Sequence, residues 1–117
     1  MSFTVMQAGQ FEQNGNWKLA RRSLGVRSLG LNVVEIPAGE SIPEHDELDR
    51  DQDEVFVVLA GGTVLVIDGE EHPAPTGTYA RVDVEHKRTV RNDGTGTASV
   101  LIISAPCSSG YEPMGWA

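Results

Sequence analysis

Cysteine is almost absent from this sequence of 117 residues, which contains only Cys107. A single cysteine cannot form a disulfide within the chain, and a CxxC zinc or redox motif is also excluded. Long apolar stretches are missing as well, because the longest uninterrupted one, Val55 to Ala60, is far too short to span a membrane. The first ten residues hold neither a basic stretch nor a long apolar one, so we expect no signal peptide and a cytoplasmic protein.

Basic residues are scarce: nine Lys and Arg stand against seventeen Asp and Glu, for a net charge of −8. Seven of the acids lie between Glu44 and Glu54, where Arg50 is the only cation. This segment therefore carries −6 and the rest of the chain only −2. Nucleic acids and anionic membrane surfaces call for basic patches, so we expect neither as a partner.

The sequence does contain a series of short β-branched runs separated by turn residues. They cover residues 31–36, 54–59, 63–67, 78–82, 88–91 and 98–104. Asp68-Gly69 follows the third run and is a typical hairpin turn. No helix-length segment separates these runs, so parallel βαβ units are excluded and an all-β sandwich or barrel is predicted. One short helix is predicted over residues 16–24, with Asn16 as its N-cap and Gly25 as its stop.

Two stretches of the sequence carry regularly spaced glycines and polar residues. The first reads Gly39, five residues, His45, one residue, Glu47, then Glu54, six residues, Gly61; the second reads Gly77, five residues, Asp83, one residue, Glu85, two residues, Arg88, three residues, Asn92. This pattern resembles the two motifs of the cupin family, G-x5-H-x-H-x3/4-E-x6-G and G-x5-P-x-G-x2-H-x3-N. The resemblance implies a double-stranded β-helix, which is a jelly-roll barrel.

The departures from the family pattern concern the metal ligands. Cupins commonly hold a metal with two His and one Glu of the first motif and the His of the second. Here His45 and Glu54 keep their family positions, whereas Glu47 replaces the second histidine and Arg88 replaces the last. The spacer between Glu47 and Glu54 has six residues instead of three or four, so the loop is enlarged.

These residues admit two chemistries. His45 and Glu47 face the same side of an extended chain, and with Glu54 they form a ligand set for a divalent metal such as Zn, Fe, Mn or Ni. Arg88 cannot act as a ligand and stays charged, so it would repel such an ion. It would instead form a bidentate pair with Glu47 or Glu54 and offset their charge without a metal.

His86 is a further candidate, since a shifted register would bring it to the fourth-ligand position; the alternative is a partly exposed histidine in the turn before a strand. The remaining acids of the loop are expected to form a solvated, mobile surface. These are Asp46, Asp49, Asp51 and Asp53.

Three functions remain open from the sequence. The first is a metal-free barrel that binds a small molecule with His45, Glu54, Arg88 and His86. The second is a metal-dependent isomerase, dioxygenase or lyase with His45, Glu47 and Glu54 as ligands. The third is a structural or regulatory barrel with a filled interior that works through dimerisation. The fold itself supports no reaction class.

The predicted organisation is an N-terminal extension over residues 1–30, a barrel over 31–105 and a C-terminal tail over 106–117. The extension is expected to pack on the barrel or on a dimer partner. A homodimer is expected, because small single barrels expose sheet edges that pairing can cover. Phe11, Trp17 and Trp116 are the candidate contacts.

Overall fold

The structure is a computed structural model that describes residues 3–117. Its elements in chain order are a 3₁₀ turn (Ala8–Gln10), β1 (Gln13–Asn14), β2 (Trp17–Lys18), α1 (Ala20–Leu24), β3 (Gly30–Ile36), β4 (Gln52–Ala60), β5 (Gly62–Ile67), β6 (Glu70–Pro75), β7 (Tyr79–Val82), β8 (Arg88–Asn92) and β9 (Ala98–Pro106). Within residues 3–117, no helix is long and apolar enough to cross a membrane.

The strands form two antiparallel sheets. The larger has the order β1-β2-β3-β9-β4-β7 and the smaller the order β6-β5-β8. Residues 41–45 extend the smaller sheet, because Ser41 pairs with Arg91 and His45 with Arg88 in isolated antiparallel bridges. The predicted all-β jelly-roll fold is therefore confirmed.

Alternate side chains of each strand fill the space between the sheets. The core includes Phe56 from β4 and Val100 from β9 in the larger sheet, and Leu65 and Val90 in the smaller. These apolar side chains are almost fully buried. The barrel interior is thus filled along most of its length. The end where β3 and β4 begin and β9 ends, here called the mouth, carries a group of polar inward-facing residues, and at the opposite end the buried polar residues Thr63 and Asn92 are strand partners.

All six predicted runs are strands, and three further strands, β1, β2 and β6, were not predicted. Strand β6 pairs with β5 through the Asp68-Gly69 turn, in which both residues have positive φ, 49° and 82°. The sequence suggested only a turn region here because of Pro73 and Pro75. Proline is tolerated in this strand because β6 lies at the edge of its sheet.

The predicted helix is shorter than expected. Trp17 lies in β2, opposite Val34, and packs against the core, so it belongs to a sheet edge and Asn16 caps no helix. The helix begins only at Ala20. Gly25, with φ of 79°, ends it as predicted: Gly25 N donates to Arg22 O at 3.2 Å and Val26 N to Arg21 O at 3.0 Å, a Schellman motif.

Two motif residues have structural roles. Gly61 has φ of 116°, and a Cβ at this position would lie 2.6 Å from Ala98 Cβ, so no larger residue fits. Asn92 is fully buried, and its amide donates to Ile36 O at 2.8 Å and Gly96 O at 2.7 Å while its oxygen accepts from Gly94 N. Asn92 therefore ties β8 to β3 and closes the turn before β9.

Candidate functional site

His45 and Arg88 are direct cross-strand partners at the mouth. His45 N donates to Arg88 O at 3.0 Å, and Arg88 N donates to His45 O at 2.8 Å. Residues that exchange both hydrogen bonds across an antiparallel ladder have side chains on the same face of the sheet. The two motifs of the sequence therefore meet here, and both side chains point toward β4.

Glu47 is positioned by a turn in the enlarged loop. Arg50 N and Asp51 N both donate to Glu47 O, at 3.2 and 2.7 Å, and Asp51 has φ of 46°. The turn reverses the chain between Glu47 and the start of β4, so that the buried Glu47 and Glu54 carboxylates come together. The loop was expected to be a mobile surface; its outer acids are exposed or half-buried, but its backbone is folded around Glu47.

The three side chains converge on one nitrogen. His45 Nε2 lies 3.1 Å from Glu54 Oε1 and 3.2 Å from Glu47 Oε1. The other ring nitrogen, Nδ1, lies 3.1 Å from Pro43 O and must donate its proton to that carbonyl. Nε2 therefore either carries a second proton or directs a lone pair toward two carboxylate oxygens. The second arrangement is unfavourable unless a proton from a carboxyl group or a metal ion lies between the nitrogen and the oxygens.

Arg88 is fully buried and contacts Glu54. Its Nη1 donates to Glu54 Oε1 at 2.8 Å, Nε donates to His86 O at 2.9 Å, and Nη2 donates to Asp83 O. The expected pairing with a carboxylate is therefore observed for Glu54, but it is not bidentate, because backbone carbonyls take the other donors. Arg88 as a substrate-binding group stays a prediction, and its burial favours a role in charge balance.

The Glu47 carboxylate receives a hydrogen bond from Gln52, a residue that the sequence analysis missed. Gln52 Nε2 donates to Glu47 Oε2 at 2.9 Å. Strand alternation could have indicated Gln52 as a member of the cluster, because it precedes Glu54 by two residues and therefore faces the same side of β4. With this bond, no buried side-chain nitrogen or oxygen in residues 3–117 lacks a partner.

Burial controls the electrostatics of the cluster. It raises the pKa of Glu54, while the hydrogen bond from Arg88 and the charge of His45 oppose this and the neighbouring Glu47 adds to it. Two carboxylates and one guanidinium leave a charge of −1 when His45 is neutral. One proton on the histidine would bring the cluster to zero, and a divalent ion beside the neutral histidine would bring it to +1.

His86 lies outside this cluster, contrary to the shifted register considered from the sequence. Its Nδ1 lies 2.6 Å from Asp68 Oδ2 on the β5–β6 turn, and the ring is partly exposed. The reason is local: His86 N donates to Asp83 O at 3.3 Å, so residues 83–86 form a turn and the alternation that would place His86 beside Arg88 does not apply. His86 instead groups with Asp83 and Glu85.

Comparison with known families identifies the fold and its motifs. The profile of the family described as "Cupin domain" matches residues 32–104, which is more than half of the sequence. The chain belongs to the cupin family. No curated protein matches the sequence of this cupin.

Solved structures support the same assignment. A cupin protein from Bacteroides fragilis has a TM-score of 0.81 at 20% identity, with 99% of this chain and 93% of that chain covered. A predicted oxalate decarboxylase from Thermotoga maritima has a TM-score of 0.72 at 16% identity, with 88% and 99% covered. A putative sugar phosphate isomerase from Acidithiobacillus ferrooxidans has a TM-score of 0.66 at 22% identity, with 76% and 57% covered. At these identities the likeness shows the fold alone.

Proposed function

We propose that this cupin binds a small molecule at the mouth of its barrel, and that Arg88 together with a proton, rather than a tightly bound metal, balances the charges of Glu47 and Glu54. The observation that carries the proposal is the hydrogen bond of 2.8 Å between Arg88 Nη1 and Glu54 Oε1. Arg88 stands where the resemblance places the last metal-ligand histidine. A permanent cation at that position repels a divalent ion, and it offsets the negative charge of the carboxylates as the ion would.

His45 is the group of the cluster that a ligand reaches first. Its side chain is 36% exposed, whereas those of Glu47 and Glu54 are 7% exposed. An imidazole whose Nε2 is shared with two carboxylates can exchange a proton with a bound molecule. We therefore assign His45 the ligand contact, as hydrogen-bond partner or general acid/base, and the two glutamates the task of holding its proton.

A metal-dependent enzyme is the second candidate function, because the donor set itself suits a metal. The ligand atoms of His45, Glu47 and Glu54 lie within 4.8 Å of one another. Imidazole nitrogens and carboxylate oxygens are ligand atoms that Zn²⁺, Fe²⁺, Mn²⁺ and Ni²⁺ accept, although the usual catalytic set for zinc and non-haem iron has two histidines and one carboxylate. Such an ion would supply Lewis-acid chemistry for an isomerase, dioxygenase or lyase. The charge of Arg88 beside Glu54 is what weighs against it.

Two structural neighbours have names that refer to a small substrate, a sugar phosphate in one and oxalate in the other. Both names concern small molecules, which supports small-molecule binding here as well. At their low sequence identity, the likeness does not indicate that this chain catalyses either reaction.

The test compares metal binding in the natural protein and in Arg88→His and Arg88→Met, all purified without a histidine tag or chelator. Elemental analysis of the natural protein should find no stoichiometric metal. Isothermal titration with Zn²⁺ should show affinity at least about tenfold higher for Arg88→His than for Arg88→Met, because only the first adds a ligand while both remove the cation. Stoichiometric metal in the natural protein that is lost in His45→Ala would overturn the proposal in favour of the metalloenzyme.

A further inference from the structure

A second polar feature lies at the mouth, beside the cluster. It is an open cleft of about 470 Å³, here called the arginine cleft, lined by Arg21, Arg27, Arg50, Asn32, Gln52 and Ser104 among others. Three guanidinium groups around one cleft are unexpected in a protein of net charge −8 with only nine Lys and Arg.

The ion pairs of residues 3–117 show that most of the Lys and Arg side chains without a carboxylate partner lie at this cleft. Five of the nine cations have a carboxylate within 4.0 Å, namely Lys18, Arg22, Arg81, Arg88 and Arg91. Over residues 3–117, the four cations without such a partner are Arg21, Arg27, Arg50 and Lys87, and the first three all line the arginine cleft. The acids of the enlarged loop are close in sequence to Arg50 but do not neutralise it. Three unpaired cations around one cleft form a positive patch that attracts an anion.

Each of the three arginines is carried by a fixed piece of backbone. Arg21 belongs to α1, and its Nη1 donates to Val26 O at 3.1 Å. Arg27 follows directly on the Schellman motif that ends that helix. Arg50 lies in the turn whose amides close onto Glu47 O. The fold therefore places all three positions around the same cleft.

Residues that line the arginine cleft also contact or neighbour the His45 cluster. Gln52 lines the cleft and donates to Glu47 Oε2 at 2.9 Å. Ser104, which also lines it, is the direct strand partner of Glu54. Asn32 is the strand partner of the core residue Ile102, so its side chain shares the inner face of the sheet. A molecule that places one end in the cleft thus extends over the inner face toward the carboxylates.

We propose that the arginine cleft binds a compact anionic group, a phosphate or a carboxylate, of the small molecule that reaches His45. Arginine suits this task because its planar donors match the oxygens of both groups. Gln52, Asn32 and Ser104 add neutral polar groups around the anion. The inference rests on the proposed function and deepens it, because it names the chemical class of the ligand.

The experiment titrates the full chain with inorganic phosphate and, separately, with acetate, and follows backbone amide shifts by NMR at low ionic strength. The variants are Arg27→Gln and Arg50→Gln. The matched control is Lys87→Gln, because Lys87 is the one Lys or Arg of residues 3–117 that has no carboxylate partner and lies outside the cleft. We expect shifts at residues 27–32 and 50–52, affinity weaker by about tenfold in each cleft variant, and no change in the control. Tighter binding of phosphate than acetate would indicate a phosphoryl ligand, and the reverse a carboxylate.

Two results would overturn the inference: neither anion binds the natural protein, or Lys87→Gln weakens binding as much as the cleft variants do. Failure here is distinct from failure of the proposed function. Stoichiometric metal at His45 with intact phosphate binding would reject the metal-free charge balance and keep the arginine cleft. Absence of anion binding together with a gain of zinc affinity in Arg88→His would reject the arginine cleft as an anion site and keep the metal-free charge balance.

Discussion

His45 and Arg88 exchange two backbone hydrogen bonds across neighbouring strands, and their side chains meet Glu54 from two directions. One carboxylate oxygen, Glu54 Oε1, accepts from Arg88 Nη1 and contacts His45 Nε2. The first and second motifs of the sequence are thus joined at a single atom, and this geometry makes the cluster sensitive to the charge of each member.

Removal of Arg88 should destabilise the fold strongly. Arg88→Met leaves Glu54 buried without its fixed cation, so we expect the free energy of unfolding in urea to fall by about 3–5 kcal/mol. Arg91→Met is the control on the same strand, because the Arg91 side chain is 35% exposed, and it should destabilise the fold much less than Arg88→Met does. Glu54→Gln added to Arg88→Met should recover part of the loss; if the double variant loses the sum of both single effects, the pair is not coupled.

Gln52 should support Glu47 through its single hydrogen bond. Gln52→Ala leaves one oxygen of a buried carboxylate unpaired and should reduce the free energy of unfolding by about 1–3 kcal/mol in urea denaturation. Gln13→Ala, at an exposed strand position, serves as the control and should change stability little. Equal stability of Gln52→Ala and the natural protein would mean that water replaces the amide.

His86 and Asp68 should titrate as a pair. The hydrogen bond to Asp68 raises the pKa of His86, and that from His86 lowers the pKa of Asp68. The contribution of His86 to stability is complete below its ordinary pKa and is lost as pH rises through the raised value; that of Asp68 is lost as pH falls through its lowered value. NMR titration should give His86 a pKa above the ordinary value for histidine, and Asp68→Asn should lower it toward that value. An unchanged His86 titration in Asp68→Asn would contradict the pair.

The homodimer stays a prediction. Trp17 packs against the core and Phe11 is half-buried, so neither is a good contact for a partner. Trp116 is 84% exposed, and Tyr79, on the edge strand β7, is 74% exposed. Sedimentation equilibrium at micromolar concentration should show a dimer that Trp116→Ala or Tyr79→Ala weakens. A monomer at high micromolar concentration would count against it.

The sequence predicted six of the strands from local spacing, and it predicted the centre of the cluster through its resemblance to the two cupin motifs. Alternating β-branched residues marked six strands, and motif spacing placed His45, Glu54 and Arg88 together. Predictions failed where tertiary context decided: Trp17 joined a strand because its ring fills the core, and His86 turned outward because residues 83–86 form a turn. The arginine cleft could not be predicted, since Arg50 is distant in sequence from Arg21 and Arg27 and comes to the same cleft only through the fold.

The turn from Glu47 to Asp51 supplies one residue to each of two neighbouring features, Glu47 to the cluster and Arg50 to the arginine cleft. The extra residues between Glu47 and Glu54 therefore do more than lengthen a loop. Shortening this segment to the usual family spacing would withdraw a cation from the cleft and, in the same step, release a carboxylate from its place beside His45. A change in the length of this segment would therefore alter the arginine cleft and the His45 cluster together.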